Sequence, residues 1–155
     1  MKIEADSAQV KFPPPLAVLL ATALCFVARY ICPEPFVPEE VRWSVGAGLW
    51  VVGIGLMFSA VRQFRMKKTA LPPWQSTSTI VVEGPYRFSR NPIYLSFLVM
   101  TLGSVFLSNH VLSFACLIGL FLFLRFYVIA REERYLEGKF GESYLSYKAS
   151  SRRWI

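Results

Sequence analysis

The chain has 155 residues, of which 54% are hydrophobic, with a mean hydropathy of +0.42 and a formal net charge of +7. This composition excludes an ordinary soluble domain and predicts one compact membrane unit over residues 1–155. The basic residues are dispersed and no nucleic-acid motif accompanies them, so the charge points to an anionic lipid surface and not to a nucleic-acid partner.

In chain order, residues 1–11 are polar and expected to be loose. Pro13-Pro14-Pro15 opens a first span over about Leu16–Ile31, with Arg29 near its far end and placed to snorkel. Lys2 and Lys11 precede the apolar run, as in a signal peptide. No small-residue cleavage site follows and further spans do, so the segment is expected to be retained. The link from Cys32 to Glu40 carries Pro33, Glu34, Pro35, Pro38 and Glu39 but no Lys or Arg, which marks the outer side. A second span follows over about Trp43–Val61, with Trp43 and Trp50 as interfacial anchors. Its Gly46, Gly48, Gly53 and Gly55 allow a helix or a ligand to approach the backbone. Arg62, Arg65, Lys67 and Lys68 then mark the cytosolic side and close a two-span unit, residues 1–62. Residues 63–93 are expected as a cytosolic loop, in which Thr69–Glu83, with Pro72-Pro73-Trp74, cannot be a span and either lies over the membrane surface or closes as a lid.

Between Arg90 and Arg125 there is no Asp, Glu, Lys or Arg, and Ser108-Asn109-His110 is the one polar cluster. Such a stretch is too long for a single span of about 20 residues and a little short for two, so residues 94–130 are predicted to form a tight helical hairpin. Asn91 is placed to cap the first of its helices, with Pro92 at the first helical position, and the second runs from about Val111 past Glu133. A hairpin returns the chain to its starting side, so Arg90 and Asn91 are expected near Arg131, Glu132 and Glu133. The cytosolic tail, residues 131–155, adds Arg134, Lys139, Lys148, Arg152 and Arg153; its helix is expected to stop at Gly141, with Phe140, Tyr144 and Tyr147 at headgroup level or over a pocket. The fold class is therefore all-α integral membrane with about four spans and both termini cytosolic.

Several residues can carry chemistry. Arg90, with Arg87 nearby, reads either as a membrane-flanking cation or as part of a site. Glu132 and Glu133 fall where hydrocarbon gives way to headgroups, a depth at which carboxylates need partners. Those partners are Arg131 and Arg134, or cationic and hydroxyl groups of a cofactor. Arg125 lies seven residues before Glu132, on the same helix face by α-helical spacing. Tyr86 and Tyr94 bracket Arg90 and either stack on a flat ring or belong to an aromatic belt. His110 sits at the outer turn and is read as a loop residue. Cys25, Cys32 and Cys116 form no CxxC and are read as buried thiols. No metal-ligand spacing, P-loop, nucleophile elbow or strand-linked GxGxxG occurs, and Gly53-Ile54-Gly55 reads as a packing feature.

Three stretches carry a resemblance: Glu83-Gly84-Pro85-Tyr86-Arg87-Phe88-Ser89-Arg90-Asn91-Pro92-Ile93-Tyr94, then Arg131-Glu132-Glu133-Arg134-Tyr135-Leu136, then Phe140-Gly141-Glu142-Ser143-Tyr144-Leu145-Ser146-Tyr147. Together they resemble the isoprenylcysteine carboxyl methyltransferase family, whose wider group includes phospholipid N-methyltransferases. The resemblance implies an integral membrane enzyme that holds S-adenosylmethionine in a cytosolic pocket between the last helices and the tail, with a lipophilic or lipidated substrate arriving from the bilayer lipids. By motif match, Gly84, Pro85, Tyr86, Arg90, Asn91, Pro92 and Tyr94 would line the cofactor site. Glu132 and Glu133 would bind its polar end or the reacting groups. Asn91 stands where the eukaryotic prenyl-cysteine enzymes commonly have His, and Arg125 and Arg131 compete for the role of catalytic arginine.

Methyl transfer from a sulfonium is an in-line displacement, so alignment and water exclusion dominate. A carboxylate acceptor, favoured by the resemblance, needs only a cation such as Arg125 or Arg131 to orient it. A lipid amine, or a small thiol, needs a base such as Glu132 or Glu133. Two other classes compete: an NADPH-dependent membrane reductase using Arg87 and Arg90 for the extra phosphate, and a non-catalytic membrane adaptor.

Overall fold

The computed structural model describes residues 4–31 and 34–155. The expectations for Lys2, Cys32 and Pro33 lie outside them. Among the described residues the regular structure is helical: α1 (Pro14–Ile31), α2 (Glu39–Met66), a 3-10 turn (Gly84–Arg87), α3 (Pro92–Ser108), α4 (Ser113–Phe140) and α5 (Glu142–Ser150). Helices α1, α2 and α4 are long and apolar enough to cross a membrane, and α3 is a shorter apolar helix. Large apolar side chains such as Leu19, Leu24, Val51, Phe58 and Phe126 face outward, the reverse of a soluble protein. The chain is an all-α integral membrane protein with α3 and α4 as its hairpin.

Helix α3 is central, because α2 packs along it and α1 packs on both α3 and α4. Small residues permit this closeness, as is usual where lipid supplies no hydrophobic drive. A Cβ added at Gly53 would stand 2.5 Å from Met100 Cγ, and one at Gly103 would stand 2.8 Å from the Gly46 carbonyl oxygen. Gly48 and Gly55 touch nothing within 4 Å, so the four glycines of α2 divide between the helix seam and the outer face. Trp50, expected at the membrane interface, instead donates its indole N–H to Ser104 Oγ across the seam at 3.1 Å.

Polar side chains close the end of the bundle at the α3–α4 turn. Asn109 adopts a left-handed conformation (φ +52°) at the C-terminus of α3. Its Oδ1 accepts from Phe36 and Val37 N–H, and its Nδ2 donates to the Val37 carbonyl, which ties the turn to the α1–α2 link. Arg29 does not snorkel freely: Nη1 donates to the Ser108 carbonyl at 3.2 Å, one of the orphan acceptors of the helix end. His110 is buried in the turn, where Nδ1 accepts the Leu112 N–H. Cys25 is buried and Cys116 half-buried, both as free thiols.

Three further expectations are corrected. Helix α2 continues past Val61 to Met66, carrying Arg62 and Arg65 on its last turns. Asn91 does not cap α3 with its side chain, which is drawn away to the tail: Nδ2 donates to the Arg153 carbonyl at 2.9 Å. Residues 4–11 are not loose. Glu4 and Ala8 donate their N–H groups to the carbonyls of Trp74 and Pro73, Lys11 donates its own to the Tyr127 hydroxyl, and Val10 is fully buried in the core.

Candidate active site

At the end of the bundle opposite the Asn109 turn, a cavity of about 350 Å³ opens between the start of α3, the Ala130–Phe140 part of α4, α5 and the loop that follows α2. Its size falls in the range of small-molecule and cofactor pockets. Its lining includes the apolar Pro14, Pro15, Leu71, Pro72 and Ile80 and the polar Arg90, Asn91, Tyr94, Glu132 and Glu133.

The local sequence explains this convergence. Gly84 takes φ +60°, which a side chain disfavours, and packs against Gln63; Pro85 then starts the 3-10 turn that points Tyr86 inward. Pro92 opens α3 with its missing N–H costing nothing. The Tyr94 hydroxyl, in the first turn of α3, donates to Glu132 Oε1 at 2.5 Å. Glu133 is buried at 7% exposure and faces two arginines. Arg153 approaches in the bidentate manner, Nε at 3.0 Å from Oε1 and Nη2 at 2.6 Å from Oε2, while Arg90 Nη2 lies 3.5 Å from Oε1. Arg90 mainly organises the tail: Nη1 donates to the carbonyls of Lys148 and Ser151, and its backbone N–H donates to the Arg152 carbonyl at 2.8 Å. The Tyr147 hydroxyl donates to the Tyr86 carbonyl at 2.7 Å, and burial pushes its pKa up to about 12. Burial likewise raises Tyr86 and Tyr144, so these lining phenols stay neutral across the physiological range.

A roof covers the cavity. Ala8 and residues 70–75 line it from above, and polar contacts join them to α4. Lys139 Nζ reaches Asp6 Oδ2 at 2.5 Å and Ser76 Oγ at 2.7 Å, while the Tyr135 hydroxyl donates to the Asp6 carbonyl and accepts from Thr77 N–H.

Of the residues singled out from the sequence, Tyr86, Arg90, Asn91, Tyr94, Glu132 and Glu133 line the cavity together. Gly84, Pro85 and Pro92 shape the backbone beside it. The two candidate arginines stand outside the lining. Residues Phe123–Ile129 form a π-helical stretch, so the seven-residue spacing from Arg125 to Glu132 no longer amounts to two α-turns, and the Arg125 guanidinium lies over the Phe126 ring at 5.4 Å. Arg131 lies 4.1 Å over the Tyr127 ring, with Nη1 on the Tyr127 carbonyl. Among the described residues, Arg90 is therefore the sole Lys or Arg in the lining, and no group of His, Cys, Asp and Glu could hold a metal. Sequence reasoning missed Arg153, which reads locally as one more flanking cation; nothing in its neighbourhood signals a partner twenty residues back.

The family described as phospholipid methyltransferase matches residues 41–143. An uncharacterized protein of Haemophilus influenzae is 40% identical over 63 residues, 41% of this chain and 100% of that protein. No solved structure matches. The family match runs from the start of α2 through Arg90, Tyr94, Glu132 and Glu133 to the start of α5, without singling out the isoprenylcysteine branch, and the chain belongs to the phospholipid methyltransferase family.

Proposed function

We propose that this membrane methyltransferase uses S-adenosylmethionine and methylates an amine on a lipophilic or amphiphilic acceptor. The carrying observation is the cavity's charge inventory. Glu132 has the Tyr94 hydroxyl as its hydrogen-bond partner and no cation among the described residues, whereas Arg90 is engaged by carbonyls and Glu133.

These residues suit the cofactor. The tyrosine faces and the uncompensated Glu132 carboxylate favour a sulfonium, and Arg90, Asn91 and Glu133 surround a polar recess for its charged end. When bound, S-adenosylmethionine supplies an electrophilic methyl group carried on a positive sulfur. The protein's own work is then to align the acceptor, exclude water and remove one proton. Glu132, hydrogen-bonded to Tyr94, is suited to accept that proton from an ammonium, freeing the nitrogen lone pair for attack. The apolar lining at Pro14, Pro15, Leu71, Pro72 and Ile80 suits the hydrocarbon part of a bilayer-borne acceptor.

A carboxylate acceptor, which the resemblance favours, fits this inventory less well. It needs a free cation, and Arg125 and Arg131 both stack on aromatic rings away from the cavity. The extra phosphate of NADPH meets the same shortage. The basic residues Arg62, Arg65, Lys67 and Lys68 lie at the same end as the cavity, which supports a cytosolic site.

The test is to incubate the detergent-purified protein with radiolabelled S-adenosylmethionine and two amphiphiles, a lipid amine and a prenylated cysteine. Label in the amine is expected. Base-labile label in the prenylcysteine alone would reverse the acceptor assignment, and binding of NADPH without S-adenosylhomocysteine would overturn the methyltransferase reading.

A further inference from the structure

Glu132 and Glu133 are adjacent carboxylates on one cavity wall, and two uncompensated negative charges so close would destabilise one another. The structure resolves this unequally. Glu133 is buried, and Arg153 engages both of its oxygens. Arg90 cannot substitute for this, because its Nη1 is held by two tail carbonyls, its Nη2 lies 3.5 Å from Oε1, and its buried Nε finds no partner among the described residues. Arg153 is itself held in place: its carbonyl accepts from Asn91, and the next residue, Trp154, packs on Phe121 with ring centroids 5.5 Å apart. All of these tail residues lie beyond the matched residues 41–143.

We infer that Arg153 is a positioning residue: by neutralising Glu133 through both oxygens, it reserves Glu132 as the cavity's uncompensated carboxylate, the partner of a cationic ligand centre. This rests on the reading of the cavity as a sulfonium-cofactor site. Arg153 touches neither reactant in this scheme and acts through Glu133.

A pair of ligands isolates the effect. S-adenosylmethionine and S-adenosylhomocysteine share their other charged groups and differ in charge only at sulfur, so the ratio of their affinities reports the local field and is insensitive to a general loosening of the site. Arg153→Ala leaves Glu133 with the 3.5 Å Arg90 contact alone and is expected to raise the preference for the sulfonium by on the order of tenfold, the scale of one unit-charge interaction in an intermediate dielectric. Arg153→Lys retains the charge and should leave the ratio near that of the wild type. Glu133→Gln strands the Arg153 cation and should move the ratio the opposite way.

The measurement is calorimetric titration of both ligands into the full-length protein in lipid nanodiscs. Opposite shifts in Arg153→Ala and Glu133→Gln support the inference. Proportional loss of both affinities, with an unchanged ratio, overturns it and leaves Arg153 a structural residue. Should Arg153→Ala fail to fold, the sign of the Glu133→Gln shift decides: a fall supports the inference, and no change overturns it. Wild-type protein that binds neither ligand refutes the reading of the site itself, and the inference with it.

Discussion

Glu132 and Glu133 differ by one position and by their whole surroundings: the first meets a phenol, the second two guanidinium groups. Their place at one end of the hairpin was legible from where they fall, at the edge of a long uncharged stretch. Their different partners were not, because the main partner of Glu133 enters from the far end of the chain. Glu132→Gln keeps the shape and the Tyr94 contact but removes the proton acceptor. Its kcat with an amine acceptor should fall about 10²- to 10⁴-fold, with S-adenosylhomocysteine affinity changing far less. Tyr94→Phe removes a single hydrogen bond to a charged group and should cost about 1.5–3 kcal/mol of transition-state stabilisation, read as kcat/KM. Equal losses of ligand affinity and rate in Glu132→Gln would indicate that the residue binds without acting as a base.

At the scale of elements, the seam between α2 and α3 depends on backbone proximity. Gly103→Ala would set a Cβ against the Gly46 carbonyl oxygen, which has no rotamer by which to retreat, so a loss of about 1–3 kcal/mol and a lower unfolding temperature are expected. Gly48→Ala meets open space and should leave thermal unfolding unchanged or slightly raised. Equal effects of the two would refute this seam. The strap of residues 4–11 makes a pH prediction. Its hydrogen bond from Lys139 holds the exposed Asp6 carboxyl below the ordinary carboxylate range. A depressed folded-state pKa means the latch is present above that range and is lost as pH falls through the lowered value. Protection of the Ser76 and Thr77 amides against hydrogen exchange, taken relative to the intrinsic exchange rate at each pH, should therefore fall in acid, and fall at neutral pH in Asp6→Ala, with little change in global stability because the pair is exposed.

For the whole molecule, the proposed orientation places the cavity and both chain ends on one side of the membrane. Single cysteines at Ala5 and Ser150, introduced after removal of the native thiols, should react with an impermeant reagent only from the cytosolic face, and one at Glu34 only from the other. Labelling of Ala5→Cys and Ser150→Cys from opposite faces would require an odd number of crossings and a different topology.

The apolar pattern by itself determined the helical membrane fold, the hairpin, and therefore the meeting of residues 84–94 with Glu132 and Glu133. Within hydrocarbon every backbone polar group must be paired internally, so an uncharged stretch of this length folds back as helices and returns its ends to one face. Only the tertiary structure decided which arginines adjoin the cavity. α-Helical spacing puts Arg125 on the face of Glu132, and a π-helical stretch between them breaks that spacing without any mark in the hydrophobic pattern. Arg153 and the roof of residues 4–11 reach the site through single nonlocal ion pairs and backbone hydrogen bonds. Such contacts depend on the path of the chain and leave no periodic trace in its residues.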